Sequence, residues 1–242
     1  ALDHDTRIGN SEGAAVASHQ GCEVYGNSHG FRGMTRKTRH EISCSVIGQS
    51  NGSMQRDYWY STSRNREDLE DASTIGRTAG ARTVRRLGAR KLETCQVPIL
   101  FEAPVASSLL AHFLGAISGG ALYRKASFLL DHLGKPVFPD FVRIHEQPLL
   151  QRAMGSAVFD SEGVATNPRD IVSDGVLEGY VLGSYSARRL GLQTTGNAGG
   201  VHNLTIDPGK EDLPGLIRNL GQGLLVTELI GFGVNSVTGD YS

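Results

Sequence analysis

Residues 104–125 read PVASSLLAHFLGAISGGALYRK, and the rest of the 242-residue chain is best read outward from them. The stretch follows the extended run Ile99-Leu100-Phe101 and opens with Pro104, which suits a first helical turn. Leu109, Leu110, Phe113, Leu114 and Ile117 then recur at helical spacing. The reading predicts a helix over 104–118, stopped by Gly119-Gly120. A strand-then-helix unit of this kind is where a metallopeptidase carries paired histidines and a glutamate. Here the helix holds Ala111, His112 and Ala116, so the metal-binding side chains are missing.

Around this unit the chain alternates between strand and helix textures. Residues 7–63 predict β structure, because Ile42, Cys44 and Val46 alternate with polar neighbours and Tyr58, Trp59 and Tyr60 favour strands. Turns are expected at Ser11-Glu12-Gly13, Gly26-Asn27 and Ser50-Asn51-Gly52. Over 65–87 the period changes, and Leu69, Ala72, Ile75, Ala79, Thr83 and Leu87 share one face of a predicted continuous helix. Its acidic start (Glu67, Asp68, Glu70, Asp71) and basic end (Arg82, Arg85, Arg86) both suit the helix dipole.

Residues 91–102 predict strand, and 122–133 a second, shorter helix. Short strands are expected at 142–146, 175–183, 201–206 and 223–233, with helical segments at 186–190 and 213–220. Nothing resembles a linker or repeat, so the whole of 1–242 reads as one α+β domain, mostly antiparallel sheet with a few packed helices.

Composition narrows the functional classes. Lys and Arg number 24 against 25 Asp and Glu, a net charge of −1 that offers no bulk attraction to nucleic acid or membrane. No apolar run approaches the roughly 20 residues of a membrane helix, and the first residues carry no secretory pattern. Cys22, Cys44 and Cys95 are widely spaced and read as reduced thiols of a cytoplasmic protein.

Several motifs invite chemistry and lose it on inspection. Residues 26–30 and 48–52 match Gly-x-Ser-x-Gly at Ser28 and Ser50. A nucleophile elbow needs a sharp turn from strand into helix, and both matches lead into further strand. His40-Glu41-Ile42-Ser43-Cys44 imitates a zinc motif, yet on a strand residues four apart lie roughly 13 Å apart at ~3.3 Å each. They cannot share an ion held by bonds of about 2 Å. His145-Glu146 lacks a downstream histidine at useful spacing, and His19, His29 and His202 read as surface or strand residues. His112 reads as a hydrogen-bonded structural histidine. The glycine-rich loop 194–200 lacks the Lys-Ser/Thr ending of a phosphate loop and reads better as a hairpin or peptide-contacting loop.

Asn10-Ser11-Glu12-Gly13, residues 109–125, Asp174-Gly175-Val176-Leu177, Thr195-Gly196-Asn197 and the terminal 233–242 together resemble the TldD/PmbA family. The ending Thr238-Gly239-Asp240-Tyr241-Ser242 resembles the PmbA branch, also called TldE. The family has been described as modulators of DNA gyrase, and its members act as a cytoplasmic heterodimeric zinc peptidase that matures a peptide antibiotic and degrades an antitoxin. The resemblance implies the C-terminal domain of such a protein, with an N-terminal domain and a final C-terminal segment absent.

In the TldD branch the central helix carries His-Glu-x-x-x-His. Aligned on Arg124-Lys125, those positions fall on Ala111, His112 and Ala116, and no residue here matches the third zinc ligand. The resemblance therefore implies no catalytic residue, no metal and no cofactor in this chain, with zinc in a TldD-like partner. It implies a non-catalytic subunit contacting partner or unfolded peptide, through Thr195, Gly196, Asn197, Gly199, Gly200, His202 and Asn203. A homodimer remains open for the isolated chain, and direct nucleic-acid or membrane contact is not expected. The alternative is a regulatory protein binding gyrase or its toxin–antitoxin regulators without proteolysis.

Overall fold

A computed structural model describes residues 1–231 and 233–241. Phe232 and Ser242, which belong to the expected final strand and the terminal motif, lie outside the described residues. The chain divides into two compact units, Ala1–Glu93 with Gln151–Met154, and Thr94–Leu150 with Gly155–Ser242. The single domain expected from the sequence is thus replaced by two. The physical reason is that each unit buries its own apolar cluster, while residues 88–98 between them lack regular structure and are mostly exposed. That joint carries no run of linker-type residues, so composition hides it.

The first unit is an antiparallel sheet of β1 (Ile8–Gly26), β2 (Arg32–Ser50) and β3 (Ser53–Ser63), in that order. Asn51 and Gly52, with φ of 49° and 78°, make the tight two-residue turn between β2 and β3. Ser11–Gly13, expected as a turn, is a bulge within β1, where the register against β2 slips and Gly13 takes φ 114°. β3 pairs only with residues 40–50 of β2, so β1 and β2 run on beyond it as a two-stranded ribbon.

Helix α1 (Ala72–Arg86) packs on the sheet. The continuous helix expected over 65–87 is broken: Asn65 caps a single 3-10 turn at Arg66–Asp68, and Leu69 is extended. Asp71 then caps α1 by accepting the N–H groups of Ser73 and Thr74. Two competing caps six residues apart produce two elements instead of one. Ile75, Ala79 and Thr83 are buried as expected, whereas Leu69 is half-buried and Ala72 exposed. Ile8, Val46 and Ala79 form the cluster beneath α1. Asp57, 7% exposed on β3, faces Arg82 at 3.4 Å and Arg86 at 3.7 Å, tying the helix to the sheet by charge.

The second unit starts with β4 (Ile99–Phe101), the only part of 91–102 that becomes strand, followed by α2 (Ala103–Ala116) and α3 (Gly119–Tyr123). Gly119-Gly120 does not stop a helix but begins one. A Cβ on Gly119 would lie 2.2 Å from Ser186 Oγ, so glycine lets α3 press against the later helix α4 (Ser184–Leu190). Of the helix expected over 122–133 only Leu122 and Tyr123 are helical, as the end of α3, and turns and irregular structure follow.

An antiparallel sheet orders β7 (Val176–Leu177), β6 (Arg169–Ser173), β5 (Ile144–Glu146) and β8 (Leu204–Ile206). Helix α5 (Leu213–Leu220) fulfils its expectation, with Asp212 as N-cap and Gly221 at its end. β9 (Leu224–Val226) pairs in parallel with β4 and is shorter than expected. Phe113, Ala116, Ile117, Ile144, Ile171 and Leu177 belong to this unit's core. The α+β class and the antiparallel predominance agree with the sequence reading.

Candidate functional site

The glycine-rich loop 194–200 is held from below by one buried carboxylate. Along β5, Ile144 and Glu146 point inward, and Glu146 is only 2% exposed. One of its oxygens accepts from Asn197 Nδ2 at 2.7 Å and from the His202 backbone N–H at 2.6 Å, and lies 3.1 Å from His202 Nδ1. The other accepts from Arg169 Nε at 3.1 Å. Arg169 also donates to Asn197 Oδ1 at 2.9 Å and to the Tyr180 carbonyl at 3.0 Å. Removing one member of such a network strands a buried polar group, which fixes the loop in one conformation. Glu146 is committed to holding the loop and has no spare role as a base.

A second carboxylate completes the cradle. Asp160, 3% exposed, accepts the N–H groups of Glu162, Val164 and Ala198 at 2.9–3.0 Å. Gly196 has φ 71°, and a Cβ there would meet the Ala165 carbonyl at 2.7 Å, so glycine is required twice over.

The predicted contact residues therefore separate. Thr195, Gly196, Asn197 and His202 serve the interior: Thr195 donates to Asn197 Oδ1 at 2.7 Å, and His202 is no surface residue. Asn203 ties neighbouring loops through Gly155 and Ser156. Asn197, besides its interior bonds, joins Gly199 and Gly200 in lining a shallow groove of about 440 Å³, together with Gly119, Gly120, Tyr123 and Tyr185. Sequence reasoning found the loop but missed Glu146, Arg169 and Asp160 beneath it. The available signal was a glutamate in register with buried Ile144 on a short strand.

The replaced motif lies on α2, and its members diverge. Ala111 is exposed, Ala116 is 1% exposed within the core, and His112 is half-buried. His112 meets the Tyr241 ring edge-on at 5.8 Å, an aromatic contact rather than the expected hydrogen bond. No three His, Cys, Asp or Glu side chains among the described residues are grouped to hold a metal ion. The donors at these positions do not fit zinc, which takes at least three protein ligands.

Ser28 lies in the turn joining β1 to β2 and Ser50 is the last residue of β2, paired with Ser53 of β3, so neither occupies a nucleophile elbow. Cys22, Cys44 and Cys95 are unpaired, and no helix among the described residues is long and apolar enough to cross a membrane.

Comparison with known proteins adds two family matches. Residues 1–87 match the PmbA/TldA metallopeptidase central domain, and residues 94–242 the C-terminal domain, a division that coincides with the two structural units. The chain is 49% identical to the metalloprotease PmbA homolog of Haemophilus influenzae and 48% identical to metalloprotease PmbA of Escherichia coli O157:H7. Each match covers 100% of this chain and 54% of the relative, so the chain spans about half the length of these proteins.

Among solved structures, a candidate modulator of DNA gyrase from Bacteroides thetaiotaomicron aligns with a TM-score of 0.92 at 32% identity, over 99% of this chain and 54% of that one. TldE of Thermococcus kodakarensis aligns at 0.79 and 22% identity, over 90% of this chain and 52% of that one, and shows the shared fold.

Proposed function

Because the chain belongs to the PmbA/TldD metallopeptidase family, we propose that it is part of a non-catalytic subunit that assembles with a TldD-like zinc peptidase in the cytoplasm. In that assembly it shapes the path by which an unfolded peptide reaches the partner's metal. The observation that carries this reading is α2: alanine offers no lone pair at 111 or 116, and Ala116 sits in a packed core. The buried cradle of the 194–200 loop supports a scaffolding role, because it gives the adjacent groove one rigid wall. The outer edge of β1 supports peptide capture by strand addition, since no strand among the described residues pairs with it.

The test is co-purification of the full-length protein with its TldD-like partner, followed by peptidase assays on an unfolded substrate. Activity is expected only with both subunits, lost on chelation, with far less than one zinc per copy of this subunit alone. Stoichiometric zinc on the isolated subunit, lost on His112→Ala, would refute the reading.

The second reading, direct regulation of gyrase, is favoured by the description of the Bacteroides thetaiotaomicron structure. It requires the full-length protein to bind gyrase with no TldD-like protein present.

A further inference from the structure

Two arginines stand at the rim of the groove beside the 194–200 loop, next to a tyrosine that lines it and outside the lining itself. Tyr123, on its wall, is flanked by two guanidinium groups: Arg124 Cζ lies 5.4 Å and Arg189 Cζ 6.0 Å from the ring centroid. Arg124 also donates to the Tyr123 hydroxyl at 3.3 Å. Tyr185 meets the same ring edge-on at 5.7 Å. Among the described residues neither arginine is in an ion pair, although both are exposed and acids slightly outnumber bases in the chain. Stacking on an aromatic face holds a guanidinium in place while leaving N–H donors free for an oxyanion.

The remaining walls admit a main chain. Gly120 lies with its missing Cβ 3.5 Å from Arg124 Nη2, and nothing stands within 4 Å of a Cβ built on Gly200. Glu162 also lines the groove, with one oxygen accepting the Ser184 N–H at 2.8 Å. That fixed negative charge repels a dianion more than a monoanion, which favours carboxylate over phosphate.

We propose that the rim of this groove at Tyr123 is a subsite for a carboxylate of a bound peptide, received by Arg124 and Arg189. The peptide part of this assignment rests on the proposed role in peptide handling. The carboxylate comes from a C-terminus or from an Asp or Glu side chain.

The experiment uses the 242-residue chain without any partner and reads fluorescence anisotropy of three labelled, N-acetylated hexapeptides. One has a free C-terminus and no acidic side chain, one is amidated with a central Glu, and one is amidated and neutral. At least one anionic peptide should bind tenfold or more tightly than the neutral one, and which of them does so identifies the source. Arg124→Gln and Arg189→Gln should each weaken that binding at least fivefold. Both side chains are exposed, and unchanged circular dichroism would confirm that the variants fold.

Gly120→Ala, whose new methyl fits without a clash, should weaken binding by narrowing the groove. Inorganic phosphate should compete no better than chloride at equal ionic strength. Equal binding of the neutral peptide, indifference to both arginine variants, or displacement by phosphate would overturn the proposal. Because the assay contains neither partner nor proteolysis, its failure would leave the co-purification test standing, and the reverse also holds.

Discussion

Asp71 shows how one side chain can decide where a helix begins. It accepts two backbone N–H groups at the start of α1, and the Thr74 hydroxyl donates to its other oxygen. The Thr74 hydroxyl, then the Thr74 backbone N–H, hold its carboxyl below the usual range. A group whose folded pKa is depressed adds stability above its unfolded pKa of about 3.9, and that stability is lost as pH falls through the folded value. Thermal melts of Asp71→Asn should therefore show a flatter acid dependence below about pH 4 while keeping much of the cap at neutral pH. Asp71→Ala should melt lower than the parent at pH 7. Parallel acid profiles for the parent and Asp71→Asn would show that this carboxylate does not matter to the fold.

For the elements, α1 and α2 present the same question with different answers. α1 buries Ile75 at 1% exposure, so Ile75→Asp should cost on the order of 3 kcal/mol by placing an unpaired carboxylate against the sheet. Chemical denaturation would measure it, and an unchanged midpoint would remove this face from the core. That face was legible because Ile75, Ala79 and Thr83 keep a helical period whatever happens upstream. The break at Leu69 was not, because an acidic first turn and an N-cap look alike in sequence and only backbone geometry separates them.

α2 was legible as a helix, and its missing ligands are plain in the sequence. What the sequence did not reveal is that Ala111 and Ala116 occupy an exposed and a buried position. Residues five apart on an ideal helix lie about 140° around the axis, so they share a face only where the helix is distorted. The candidate loop was visible through Gly196, Gly199 and Gly200. Its anchors Glu146 and Arg169 were not, since pairing across 23 residues leaves no local periodicity.

On the scale of the whole molecule, the joint at 88–98 is the accessible point of the chain. It is irregular and mostly exposed, and it carries Arg90 and Lys91. Limited trypsin digestion should cut there early, before Arg82, whose side chain is 11% exposed against Asp57, is reached, and mass spectrometry would identify the site. First cleavage within α1 would contradict the assignment of that helix to a packed unit.

The short segment Gln151–Met154 belongs to the unit built mostly by residues 1–93. Arg64 donates to the carbonyls of Ala153 and Met154 at 3.4 and 2.5 Å, and Arg152 stands 3.8 Å from Asp68. On the ribosome, where the N-terminal part of a chain emerges first, the sheet and α1 are already outside while these acceptors are still unmade. During that interval the Arg64 guanidinium can rely only on water and on the Thr38 carbonyl, which it already holds at 3.1 Å. The unit built mostly by residues 1–93 is thus not finished when Glu93 is made but only when Met154 is, and a nascent chain halted near residue 93 would display it with its last stitch missing.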